Sequence, residues 1–236
     1  LPLEHTMEEY LSRFSRRDTF TGLFAAERLS AGQLVLRPSV LEFLSTGTVA
    51  PLPGLRLFDG NQETPSGPLV IGQELARRLD LLYSEPGEQV ICLTGSPGIG
   101  KRFQVEHLMA RKGGRCVFAS LDGEQPEERA REGALIARLT GACLCCTHME
   151  RQDTDGKQLP PEEKLLQAIL DLELPGEKVF LLSHLPIRTQ FRRLAVELDV
   201  PDTTEEERMA LFRAFLGDTP LEEGLTVEEL ASKFRF

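Results

Sequence analysis

Gly95, Gly98, Gly100 and Lys101 are the residues of this chain whose types and spacing could do chemistry by themselves. An apolar run, Val90 to Leu93, precedes them, and apolar residues at helical spacing (Phe103, Val105, Leu108, Met109) follow. Strand, glycine loop and helix in that order make a cradle for phosphate. Glycines let successive backbone N–H groups turn inward with no Cβ in the way. The helix points its positive end at the same place, and Lys101 reaches the outer phosphates. The pattern G-x-x-x-x-G-K-[ST] is met at Gly95, Gly100 and Lys101 and broken at Arg102, where Ser or Thr would touch a magnesium ion. The candidate phosphate-holding residues are Gly95, Ser96, Pro97, Gly98, Ile99, Gly100, Lys101 and Arg102.

Hydrolysis on such a loop needs that ion held also by an acid at the end of a neighbouring strand, with a further carboxylate to polarise water. The strand after the second crossover ends Cys145, Cys146, Thr147, His148, Met149, Glu150. Thr147 and His148 stand where the two acids belong, and Glu150 is acidic but comes later. Both magnesium contacts are therefore altered. Arg102 could put a fixed positive charge in the ion's place, allowing nucleotide binding without efficient hydrolysis. Glu150 and His148 are weighed as bases against the plainer reading of polar residues past a strand end. Ser183 and His184 end the next strand, and Ser183 is the preferred reader of the terminal phosphate. Cys143, Cys145 and Cys146 lack a C-x-x-C pair and read as buried thiols rather than ligands, so no metal is expected.

These residues need a scaffold. Arg115 to Leu121, Ala142 to Cys146, Val179 to Leu182 and Leu194 to Leu198 read as strands beside Val90 to Leu93. Helical patterns at Pro126 to Leu139 and Pro160 to Leu172 separate them. Alternation of this kind implies an α/β fold with a parallel five-stranded sheet covered on both faces. Residues 69–201 form this core. Thr204-x-x-Glu207 and Thr226-x-x-Glu229 are capping boxes that open helices after it, in 202–236. Residues 1–46 read as a small helical region, with a capping box at Thr6 and Glu9, an apolar segment from Phe20 to Leu29, and Pro38 opening a helix. Residues 47–68 carry four glycines and four prolines and read as a linker or irregular wrap.

Bulk properties bound the function. A net charge of −10 over 236 residues argues against a nucleic-acid partner. No apolar run approaches the length of a membrane span. Glu4, His5, Glu8 and Glu9 stand where a secretory leader would be basic and then apolar. Five cysteines in apolar contexts suit reduced thiols in a cytoplasmic protein. A start on Leu1 and an end in the apolar helical pattern at Lys233 to Phe236 read as a piece of a longer chain.

Gly72 and Glu74 behind Ile71, the loop Gly95 to Lys101, the altered acid position, Ser183, and Val200-Pro201-Asp202 followed by Glu207-Arg208 together resemble the AAA+ ATPases over about residues 69–236. More narrowly, the chain is similar to the degenerate first ATPase module of bacterial tandem AAA+ proteins. The resemblance implies a P-loop NTPase three-layer fold followed by the start of a helical lid, ATP as cofactor with magnesium in doubt, and Gly72 with lid residues at the adenine. It implies a second AAA+ module C-terminal to this stretch and allows a homo-oligomer. In ring-forming ATPases an arginine near Arg188, Arg192 and Arg193 reaches the neighbour's nucleotide; here a solvated basic loop is the plainer reading. A regulatory, weakly hydrolysing module is the leading expectation. A non-nucleotide assembly scaffold and a signalling ATPase of the STAND class are the alternatives.

Overall fold

The computed structural model describes residues 35–50, 52–65, 67, 69, 72–152, 155, 158–170, 178–187, 194–222 and 224–234. The expected helix near residue 7, the apolar segment from Phe20 to Leu29, and Arg188, Arg192 and Arg193 lie outside them.

Helix α1 (Pro38–Thr46) opens on proline at its first position, as the sequence implies, and closes on Gly47 with φ 73°. Arg37 and Ser39 fasten it to Glu132, and Arg37 also holds Glu128 at 2.7 Å. Strand β1 (Leu55–Asp59) comes next. It corrects the reading of 47–68 as linker. Glycine and proline exclude a central strand but not a short edge strand, and Leu55 and Phe58 are buried.

The core runs α2 (Gln73–Ser84), β2 (Gln89–Thr94), α3 (Lys101–Lys112), β3 (Arg115–Ser120), α4 (Pro126–Thr140), β4 (Cys143–Thr147), a small hairpin of β5 (Arg151–Gln152) and β6 (Gln158–Leu159), α5 (Glu163–Leu170), β7 (Lys178–Ser183) and β8 (Leu194–Asp199). The main sheet has the order β1-β3-β4-β7-β2-β8. The expected five strands pair parallel to one another, but β1 adds a sixth, antiparallel to β3. The sheet is therefore mixed, not the all-parallel five-stranded sheet expected. An antiparallel edge strand is a common close to such sheets.

Strand residues alternate between two apolar clusters. Val90, Cys92, Val117, Leu144, Cys146 and Leu181 pack with residues of α4 and α5. Ile91, Leu93, Phe118, Cys145, Phe180 and Leu182 pack with α2 and α3. This two-sided burial explains why β2 is buried at every position. Beyond β8, α6 (Glu205–Leu216) and α7 (Val227–Lys233) each begin with a complete capping box, at Thr204 with Glu207 and at Thr226 with Glu229. Arg208 Nε donates to the Ala231 carbonyl at 2.7 Å and so ties α6 to α7. None of the described helices is long and apolar enough to cross a membrane.

Candidate phosphate-binding cleft

β2 lies between β7 and β8. The chain leaves β2 toward β3 on one side and returns through β7 to β8 on the other. Ligands in open α/β sheets bind outside the strand carboxyl ends at such a reversal. A cleft of about 350 Å³ opens there, lined by Gly98 to Phe103, Glu106, Thr147, His148, Leu182 and His184.

The glycine loop connects β2 to α3 and takes up the expected left-handed conformations: Gly95, Gly98 and Gly100 have φ 143°, 79° and 88°. At Gly95 close approach adds a second demand, since a Cβ would lie 2.7 Å from the Val200 carbonyl oxygen. Only glycine meets both. The loop is pinned on its other side by the Ser96 hydroxyl, which donates to Asp202 Oδ1 at 3.0 Å. Helix α3 starts at Lys101, and no side chain caps its first turn.

Lys101 is only 6 % exposed. Its ammonium donates to the Gly95 carbonyl at 2.6 Å and the Ser96 carbonyl at 2.8 Å, and lies 3.1 Å from His184 Nδ1. An ammonium has three protons and no acceptor, so all three are engaged by the loop and by β7. Burial pushes its pKa down, partly offset by the charge of Glu150. His184 must accept at Nδ1, which leaves its proton on Nε2. Burial also holds the His184 pKa below the usual imidazole value, with help from Lys101 and against Glu150. The residue after β7 that lines this cleft is His184, not Ser183. Ser183 is fully buried; its hydroxyl donates to the Leu185 carbonyl at 2.6 Å and accepts from the Leu185 N–H at 3.1 Å.

Glu150 stands behind the cleft. Its carboxylate accepts from the His184 backbone N–H. Burial raises its pKa, but that hydrogen bond, the Ser183 contact and the charge of His184 outweigh it and leave the group below the usual range. Glu150 and Ser183 thus brace the turn that presents His184.

His148 has φ 52°, an uncommon left-handed value for a residue with a Cβ. The turn brings its Nδ1 within 2.8 Å of Ser120 Oγ and 3.2 Å of Thr147 Oγ1. Ser120 has one proton, and its 2.6 Å contact with Asp122 Oδ1 is the short bond of a hydroxyl to a carboxylate. His148 Nδ1 therefore donates to Ser120.

Arg102 does not enter the position of a metal ion. Its Nε donates to Glu106 Oε1 at 2.9 Å, and its guanidinium lies 4.7 Å from the Phe118 ring centre. Glu106, 8 % exposed, also accepts from Arg56 Nη1 at 2.8 Å. It is the one carboxylate among the described residues lining the cleft, and two arginines claim it. Thr147 Oγ1 lies 3.4 Å from the Ala119 carbonyl. Magnesium or calcium does not fit this donor set, because hard cations take free carboxylate and hydroxyl oxygens, and here the lining carboxylate of Glu106 is claimed by two arginines and the Thr147 hydroxyl lies against the Ala119 carbonyl.

The five cysteines are free and buried. Burial pushes the Cys92 and Cys143 thiols up to about 12, which makes them inert near neutral pH.

Of the residues expected from the sequence, Gly98 to Arg102 line the cleft, whereas Ser183 does not line it and Arg102 is paired with Glu106. A signal was available for the second point: Arg102 and Glu106 are one helical turn apart, the spacing of an ion pair.

No family model matches the chain. No curated protein matches it. Among solved structures, it is similar to a chain of the E. coli MS115-1 HORMA:CdnC:Trip13 complex, at 17% identity over 75% of this chain and 77% of that one, with a TM-score of 0.45.

Proposed function

We propose that this chain is a nucleotide-binding module of AAA+ type, with a P-loop NTPase fold, that holds ATP in the cytoplasm and hydrolyses it poorly or not at all. It would regulate a catalytic module in the C-terminal direction. The observation that supports this reading is the glycine loop between a fully buried strand and α3, with the Lys101 ammonium held inside the cleft that α3 opens. The phosphates would lie along Gly95 to Lys101, and Gly72 with residues of α6 and α7 would face the adenine. Weak hydrolysis follows from the paired Arg102 and from Thr147, neither of which offers an anionic oxygen to a metal ion.

One observation favours a second reading, an assembly scaffold without nucleotide. Lys101 fills its own cradle, satisfied by three partners of the chain itself.

Nucleotide-dependent thermal unfolding separates the two. Saturating ATP at a hundred times its dissociation constant adds about 2.7 kcal/mol of stability, a rise in Tm of several degrees, and Lys101→Ala abolishes it. Phosphate release stays at the Lys101→Ala background. An unchanged Tm favours the scaffold. Rapid release that vanishes in Lys101→Ala makes the chain a working ATPase.

A further inference from the structure

The cleft carries two imidazoles, and one of them, His148, stands where a magnesium-dependent site is expected to carry an acid. His148 follows β4 and His184 follows β7, and both line the cleft together with Lys101. Each ring commits Nδ1 to the protein, His148 to Ser120 and His184 to Lys101, and the His184 ring also meets the Gly95 backbone; Nε2 is the nitrogen each would turn to a ligand. On His184 that nitrogen is a donor already. On His148 the donor lies on Nδ1 in the neutral ring, and Nε2 carries a proton only in the imidazolium.

Resting on the nucleotide reading above, we infer that this cleft takes the terminal phosphate of a nucleoside triphosphate without a divalent cation, His148 and His184 supplying the donors that a metal ion would otherwise supply. A γ-phosphate brings three acceptor oxygens. Lys101 can turn from the Gly95 and Ser96 carbonyls onto one of them, and the two Nε2 atoms face the others. The charges around the pair are Lys101, Glu150 behind His184, Asp122 behind Ser120, and Glu106 with its two arginines. The cleft thus presents positive and neutral donors to the ligand, and its single lining carboxylate is already compensated.

The test is calorimetric titration of the whole chain with ATP, ADP and AMP, in magnesium and in EDTA. It is run on the wild type, His148→Gln and His184→Gln, with the Tm of each unliganded variant measured alongside to verify folding. The expected result is equal ATP affinity in both buffers, within about threefold. Each variant weakens ATP by about tenfold, the loss of one hydrogen bond to a charged group, and leaves AMP unchanged. ATP binding that requires magnesium, variants that bind ATP as the wild type does, or AMP bound as tightly as ATP would each overturn the inference and leave nucleotide binding standing. Absence of binding in either buffer removes both.

Discussion

Lys101 Nζ lies 3.1 Å from His184 Nδ1, and this contact joins the glycine loop to the end of β7. It sets the proton of His184 on Nε2 and consumes the last free donor of the lysine. The loop is thus held in shape by Lys101, which also bonds the Gly95 and Ser96 carbonyls.

That contact makes stability depend on pH. The folded-state pKa of His184 lies below its unfolded value, because burial and Lys101 oppose the imidazolium. The folded chain therefore binds fewer protons than the unfolded one. The contribution is complete above the unfolded pKa of about 6.5 and is lost as the pH falls through the folded value. Thermal melts across this range should show Tm falling on acidification, and His184→Gln should flatten the fall. His107, whose pKa burial also lowers, remains in both proteins, so the difference reports His184.

Ser96 Oγ and Asp202 Oδ1, 3.0 Å apart, tie the loop to the segment leading into α6. Asp202→Ala removes an exposed hydrogen bond to a charge, about 1 kcal/mol. Amide hydrogen exchange across Gly95 to Gly100 should quicken by about fivefold while exchange in β2 stays unchanged.

Glu106 serves two cations, Arg102 and Arg56. Glu106→Gln leaves both half-exposed guanidinium groups without their charge partner and should cost about 1–2 kcal/mol, lowering Tm by about 2–5 °C. The loss should shrink in an Arg56→Ala background, a non-additivity of at least about 0.5 kcal/mol.

Gly60 follows β1, and a Cβ there would lie 2.2 Å from the Met109 carbonyl oxygen of α3. Its N–H donates to the Gly114 carbonyl at 2.9 Å. Gly60→Ala should cost about 1–3 kcal/mol, because backbone rather than a flexible side chain must give way. Hydrogen exchange should show the loosening first in Leu55–Asp59.

The sequence by itself determined whatever depends on neighbours along the chain. Loop glycines at positive φ, the buried run of β2, the alternating strands and helices, and the capping boxes at Thr204 and Thr226 are local physics written in adjacent residues. Tertiary structure decided the rest. Leu55–Asp59 became a strand because β3 offered an open edge, a partner about sixty residues away that the glycines and prolines flanking the segment do not announce. His184 rather than Ser183 lines the cleft because successive residues at a strand end point in different directions, and only the packed sheet fixes which one meets Lys101, 83 residues earlier. Arg102 sits between these cases. Its partner Glu106 is one turn away in the sequence, but the Phe118 ring that receives its guanidinium is supplied by β3, beside α3 only in the folded chain.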